Sequence, residues 1–188
     1  LNAYPELLAS YVLANHPLIY QIKSDAVTIL EKNKLTASFE GYQSQNKERV
    51  LQMVSALYQA IVNLHLVYSA MPASFEEEGQ RIRLIDQVLD TKFGNCIDIS
   101  LLFAACLEAV SLNPILVITR GHAFVGVWLD DQRFNDTVTY DATALTKRIA
   151  LGIKEIGLIE ATSLCKGNQL KFKDAMVSAE AQMLQIHN

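Results

Sequence analysis

Cysteine is scarce and unpaired in this chain. Its three copies, Cys96, Cys106 and Cys165, are odd in number and widely spaced. That excludes a disulfide framework, and without a CxxC pair or a dense histidine cluster there is no basis for a structural zinc site. A reducing, cytoplasmic setting is the simpler expectation, and neither a metal nor another cofactor is expected. No window reaches the roughly 20 apolar residues that cross a bilayer, and no basic leader precedes an apolar segment. Neither membrane insertion nor export is therefore expected. The chain opens on Leu rather than Met, which reads as a piece of a longer protein. Positive charge is in slight deficit, with 16 Lys and Arg against 20 Asp and Glu, and the basic residues are scattered. Such a distribution argues against a nucleic-acid surface. Internal repeats and low-complexity segments are also missing.

What is present is enough apolar material for one substantial core: 188 residues, 51% hydrophobic and 19% charged. The spacing in residues 5–30 predicts two short helices joined at Asn15-His16-Pro17, because proline disfavours helical geometry in the residue before it. Residues 48–67 predict an amphipathic helix with Leu51, Val54, Leu57, Tyr58, Ile61 and Leu64 near one stripe. A loop spanning Met71-Pro72 and residues 76–79 leads into QRIRLIDQVLD, a short helix expected to end before Phe93-Gly94. Residues 96–110 form a largely apolar helix, buried on most sides. After the break at Asn113-Pro114, ILVIT and HAFVGVWL, split only by Arg120-Gly121, predict an antiparallel hairpin. Residues 130–135 read as a loop, 141–151 as a helix and 156–159 as a further strand. The fold class is α+β, with helices preceding a mainly antiparallel sheet.

The reactive candidate is Cys96 in TKFGNCIDISLLFAACLEA. A cysteine that opens a helix sits among unpaired backbone N–H groups and at the positive end of the dipole, both of which favour the thiolate. Gly94 would allow a tight turn before it, and Asn95 would cap the helix. A cysteine opening an apolar helix also serves simply as a small buried side chain. His122, first in its predicted strand and beside a glycine, is the candidate proton carrier; the alternative is a histidine satisfied by backbone bonds at a strand edge. A third group should fix the imidazole. Glu160, closing EIGLIE, is favoured. Asp141 in TVTYDAT is its rival, although a helix cap is the ordinary role for an aspartate there. Glu155 reads as a solvated flank.

At these residues the sequence resembles the transglutaminase-like superfamily of papain-fold cysteine enzymes, through GNCIDISLLFAACLEAVSLNP, ILVITRGHAFVGVWL and GLIEAT. The resemblance implies a central helix packed on a mainly antiparallel sheet, with Cys96 as nucleophile, His122 as general acid/base and Glu160 as orienting carboxylate. Glu160 departs from the family, where Asp is common. A closer likeness is to the module of this type in large bacterial helicase-associated proteins, through FEGYQS at residues 39–44 and PASFEEEGQRIR at 72–83. It implies a single domain over 1–188, with an N-terminal helical extension (1–40), a catalytic core (41–165) and a C-terminal helical extension (166–188). It also implies neighbouring domains of a larger protein as partners.

A tetrahedral intermediate requires hydrogen-bond donors aimed at its oxyanion. The Cys96 backbone N–H is the first candidate, and Gln80 or Gln43 the second, each of which is otherwise a surface glutamine. Asp98 is expected to cap or compensate the helix dipole. Trp128 and Phe124 share His122's strand parity, so they line either a cleft or the core. Arg81 and Arg83 either recognise an acidic substrate or solubilise a helix. Cys106 is expected to be structural and Cys165 exposed. The function expected is a cysteine peptidase or amidase acting on a peptide or protein amide through a thioester. Acyl transfer to a second amine is the alternative, as is an inactive peptide- or protein-binding module of a nucleic-acid-associated protein.

Overall fold

The computed structural model describes residues 5–69 and 82–187. A 3₁₀ helix, Pro5–Tyr11, stops short of the Asn-His-Pro triplet, and helix α1, Pro17–Lys32, starts on the proline. Proline suits the first helical position because its missing N–H would be unpaired there in any case. His16 caps α1, its Nδ1 accepting the Leu18 N–H at 3.2 Å. The first of the two expected helices is thus of the tighter kind. Helix α2, Lys47–Val62, begins at an Asn46 cap and buries Val50, Met53, Val54, Leu57 and Ile61. Leu64, expected on that stripe, lies beyond the helix end and is only partly buried.

Two-residue parallel strands β1, Val67–Tyr68, and β2, Phe93–Gly94, lie side by side, with Tyr68 opposite Gly94. Strands so short carry no alternation to read. Between them comes α3, Ile85–Thr91. Residues 82–84 are not helical, so the helix begins later than the sequence suggests; Gln80 and Arg81 lie outside the described residues. Gly94 is not among the residues with positive φ. What it supplies is space, because a Cβ there would stand 2.7 Å from Ile99 Cδ1.

Helix α4, Cys96–Glu108, is buried at every position from Cys96 to Leu107. It can be so because nearly all of its side chains are apolar and neighbours surround it. The sheet β3-β4-β5, formed by Pro114–Thr119, His122–Trp128 and Ile156–Ile159, is antiparallel throughout. Thr119 pairs with His122 across the two-residue turn, where Gly121 holds φ +84°. Only glycine takes that conformation without steric cost.

Alternation along the strands separates two cores. Val125, Val127 and Ile159 join the core that contains α4 and α2. Phe124, Trp128, Ile156 and Leu158 pack instead with Leu145 and Ile149 of α5, Ala142–Ile149, and Ala179 and Met183 of α6, Phe172–His187. The architecture is a mixed α+β fold, a small antiparallel sheet with α4 on one face and α5 and α6 on the other. Among the described residues no helix is long and apolar enough to cross a membrane.

Candidate active site

Three chain segments converge where α4 begins, β4 begins and β5 ends. Asn95 is the N-cap of α4, its Oδ1 accepting the Asp98 N–H at 2.9 Å, while Asp98 Oδ2 accepts the Asn95 N–H at 3.0 Å. This reciprocal capping box satisfies two N–H groups of the helix start and leaves Cys96 as its first residue. Asp98 does more than compensate a dipole. Its side chain has no exposure, and it accepts the Arg83 N–H at 2.9 Å and Arg83 Nη1 at 2.8 Å. Arg83 therefore ties the strand-side approach to α4 rather than simply solubilising a helix.

His122 opens β4 with its ring edge-on to Phe124, the centroids 4.6 Å apart. Its Nε2 donates to both carboxylate oxygens of Glu160, at 3.0 Å and 2.8 Å. Glu160 follows β5 as the N-cap of a 3₁₀ helix, Ala161–Leu164, where Oε1 also accepts the Thr162 N–H at 2.9 Å and the Thr162 hydroxyl at 2.8 Å. Gln182 Nε2, from α6, donates to Oε2 at 3.0 Å. The carboxylate is 5% exposed as part of its residue, so its charge depends on these donors.

Cys96 lies beside His122 and Tyr68, close enough to raise the pKa of both, and it packs with Leu8, Ile97, Leu101 and Ala123. With Nε2 committed to Glu160, Nδ1 is the ring nitrogen left for Cys96. The interaction with Cys96, then the hydrogen bond to Glu160, push His122 up to about 9 against the opposing effect of burial, and the charges of Glu160 and Cys96 add to the shift. For Glu160, burial works upward, but the His122 and Thr162 hydrogen bonds and the His122 charge outweigh it, and the carboxyl sits below its ordinary range. Tyr68 is pushed up by burial first and by the charge of Cys96 second, so its phenol stays protonated as a donor.

The sign of the stability effect follows. A raised histidine contributes stability that is complete below its ordinary pKa near 6.5 and is lost as pH rises through about 9. A depressed carboxyl contributes above its ordinary range and loses that contribution as pH falls through its lowered value. Thermal unfolding should show the wild type more stable than Glu160→Gln near pH 6, by on the order of 2 kcal/mol, with the gap closing toward pH 10. A gap that does not change with pH would mean that the ion pair is not its source.

Other expected site residues lie elsewhere. Asp141 caps α5, accepting the Thr143 N–H at 2.9 Å, whereas the carboxylate hydrogen-bonded to His122 is that of Glu160. Trp128 shares the parity of His122 but stands at the opposite end of β4, six residues and about 20 Å away along the strand. It is 2% exposed and packs on Phe134 and Arg148, away from Cys96 and His122. Gln43 follows Tyr42, whose hydroxyl donates to the Trp128 carbonyl at 2.9 Å, so it belongs to that far end as well. Both line a concavity of about 2410 Å³ whose walls include neither Cys96 nor His122 nor Glu160. Gln80 is outside the described residues. Cys165 is buried with no exposure, against the expectation, and burial raises its thiol to about 11. Cys106 is buried within α4, and burial pushes its thiol up.

Sequence reasoning missed Tyr68, Thr162 as a donor, and Gln182. Thr162 carried little signal, since the side chain that habitually accepts the N–H two residues on is Asp or Asn, and Glu160 does so here with one more methylene. Among the described residues, no cluster of His, Cys, Asp and Glu is arranged to hold a metal ion. Comparisons with protein-family models, with curated proteins and with solved structures give no match, so the chemistry rests on these side chains themselves.

Proposed function

We propose that this chain is a cysteine peptidase or amidase of the transglutaminase-like, papain-type class, acting on a peptide or protein amide. The observation that carries the reading is a single imidazole held at Nε2 by a buried, four-donor carboxylate and set beside a cysteine at a helix start. That division of labour, a nucleophile, a base and a group that orients the base, is what acyl transfer needs.

Cys96 Sγ attacks the amide carbon, and the carbonyl π electrons move to oxygen. The Cys96 backbone N–H, freed from intrahelical bonding by its place in the first turn, is a donor for that oxyanion. The Tyr68 hydroxyl, beside the sulfur, is available as a second. Collapse of the intermediate breaks the C–N bond as the His122 imidazolium gives its proton to the departing amine. Neutral His122 then takes a proton from the water that adds to the thioester carbon, and collapse breaks the C–S bond, releasing the acid and restoring the Cys96 thiolate beside the His122 imidazolium. Glu160 remains an anion throughout, stabilising the imidazolium.

The test is capture of the acyl-enzyme. Incubation with a panel of peptidyl amides and activated esters, quenched in acid and read by intact mass and peptide mapping, should place the acyl group on Cys96, and Cys96→Ala should abolish it. If neither amides nor esters acylate Cys96, and a peptidyl electrophile labels it no faster than iodoacetamide does, the reading fails and a noncatalytic binding module takes its place.

A further inference from the structure

An open depression of about 260 Å³ lies on the Glu160 side of His122, lined among others by Thr162, Asn168, Ser178 and Gln182. Cys96 is not part of its wall. One wall of this depression is α6, whose apolar positions Ala175, Ala179 and Met183 are buried against the sheet side of the molecule. The same helix reaches the site twice. The Glu160 N–H donates to the Ala175 carbonyl at 3.2 Å, and Gln182 Nε2 donates to Glu160 Oε2 at 3.0 Å. Gln182 Nε2 also donates to Ser178 Oγ at 3.1 Å, one helical turn back, which fixes the amide's orientation.

We infer that Gln182 is a positioning residue: from α6 it pins Glu160 Oε2, so that the carboxylate keeps its face to His122 and the imidazole keeps Nδ1 toward Cys96. This rests on the catalytic reading above. Glu160 has two oxygens, and His122 reaches both. Thr162 anchors Oε1 twice, from the backbone and from the hydroxyl, whereas Oε2 has Gln182 besides His122. Without the amide the carboxylate can rotate about its Thr162-anchored oxygen, and the bond that rotation lengthens is the shorter one, 2.8 Å to His122. The side-chain amide suits this task because it donates without carrying a charge, so it holds the anion without competing for the ion pair with His122.

A glutamine that only docks a helix would affect stability alone. The distinguishing readout is the pH profile of Cys96 alkylation in the full chain. Titratable groups that bear on it are His122, Glu160, Cys96, Tyr68, Tyr58 and Cys165, with Asp174 of α6 farther off beside Tyr58. Gln182→Met keeps length and helix propensity but donates nothing, and should lower the plateau rate about 10-fold. Gln182→Glu keeps the shape but sets a second anion beside Glu160, and should move the alkaline limb up by about one pH unit. Ser178→Ala, which loosens the amide but leaves it in place, should fall between wild type and Gln182→Met. If Gln182→Met unfolds, Gln182→Glu decides. The inference is overturned if the folded variants keep the wild-type profile, with rates within twofold, while His122→Ala still abolishes it. Should His122→Ala also leave the wild-type profile unchanged, it is the catalytic reading that fails, and the inference falls with it.

Discussion

Replacing His122 by Ala is expected to lower the alkylation rate of Cys96 at pH 6.5 by about 100-fold, because an ordinary thiol, with a pKa of about 8.5, is only about 1% thiolate there. In the wild type, His122 is pushed up to about 9 by its interactions with Cys96 and Glu160, so the imidazolium is present across the neutral range and can hold a thiolate beside it. On the coupled-pair reading, the wild-type rate should depend on pH less steeply than that of an ordinary thiol and change where His122 titrates. In His122→Ala it should climb tenfold per pH unit toward an ordinary thiol titration. Assignment of the label is straightforward. Cys96 keeps 7% exposure, whereas Cys106 keeps 1% and Cys165 none, so Cys96→Ala should remove essentially all labelling of the folded chain. Superimposable profiles for wild type and His122→Ala would sink the coupled pair.

How far the site could be read from sequence depends on how local each signal is. The helix of Cys96, the hairpin of His122 and the strand before Glu160 all carry short-range signatures: an Asn cap before an apolar run, a two-residue turn with glycine at positive φ, and a β-branched stretch. The pairing of β4 with β5 then brings His122 and Glu160 together across 38 residues. Strand parity misled in the case of Trp128, because parity assigns a face and says nothing of distance along the strand. Gln43 misled for a related reason, since a polar residue near a family-like motif carries no coordinate. Tyr68 and Gln182 gave no local warning. One sits on a two-residue strand, and the other is a glutamine on a helix, where solvent is the ordinary destination. Cys165 looked exposed from its place in TSLCKGNQ, after the last strand, yet the chain there turns inward, with the Lys166 N–H donating to the Leu66 carbonyl at 2.6 Å.

Asp98→Ala is expected to be the most destabilising single change around the site, by about 3 kcal/mol, the lower end of what breaking a buried ion pair costs. The lower end applies because Arg83 retains 21% side-chain exposure and water can reach it, whereas Asp98 has none. The substitution deletes three accepted hydrogen bonds at once, from the Asn95 N–H, the Arg83 N–H and Arg83 Nη1, and leaves the Asn95 N–H buried without an acceptor. In a domain of this size that should lower the melting temperature by about 6–12 °C. Asp98→Asn keeps an acceptor oxygen and the volume but loses the charge, and should cost less than Asp98→Ala. The reactivity of Cys96 should fall with both, even well below the melting temperature, because the capping box sets the geometry of the first turn that carries the sulfur. Thermal melts paired with alkylation at 20 °C separate the two effects. If Asp98→Ala lowers stability but leaves the Cys96 profile intact, the Asp98–Arg83 pair holds the fold without tuning the nucleophile. A change of less than about 1 kcal/mol would mean that the buried carboxylate contributes no more than an exposed pair would.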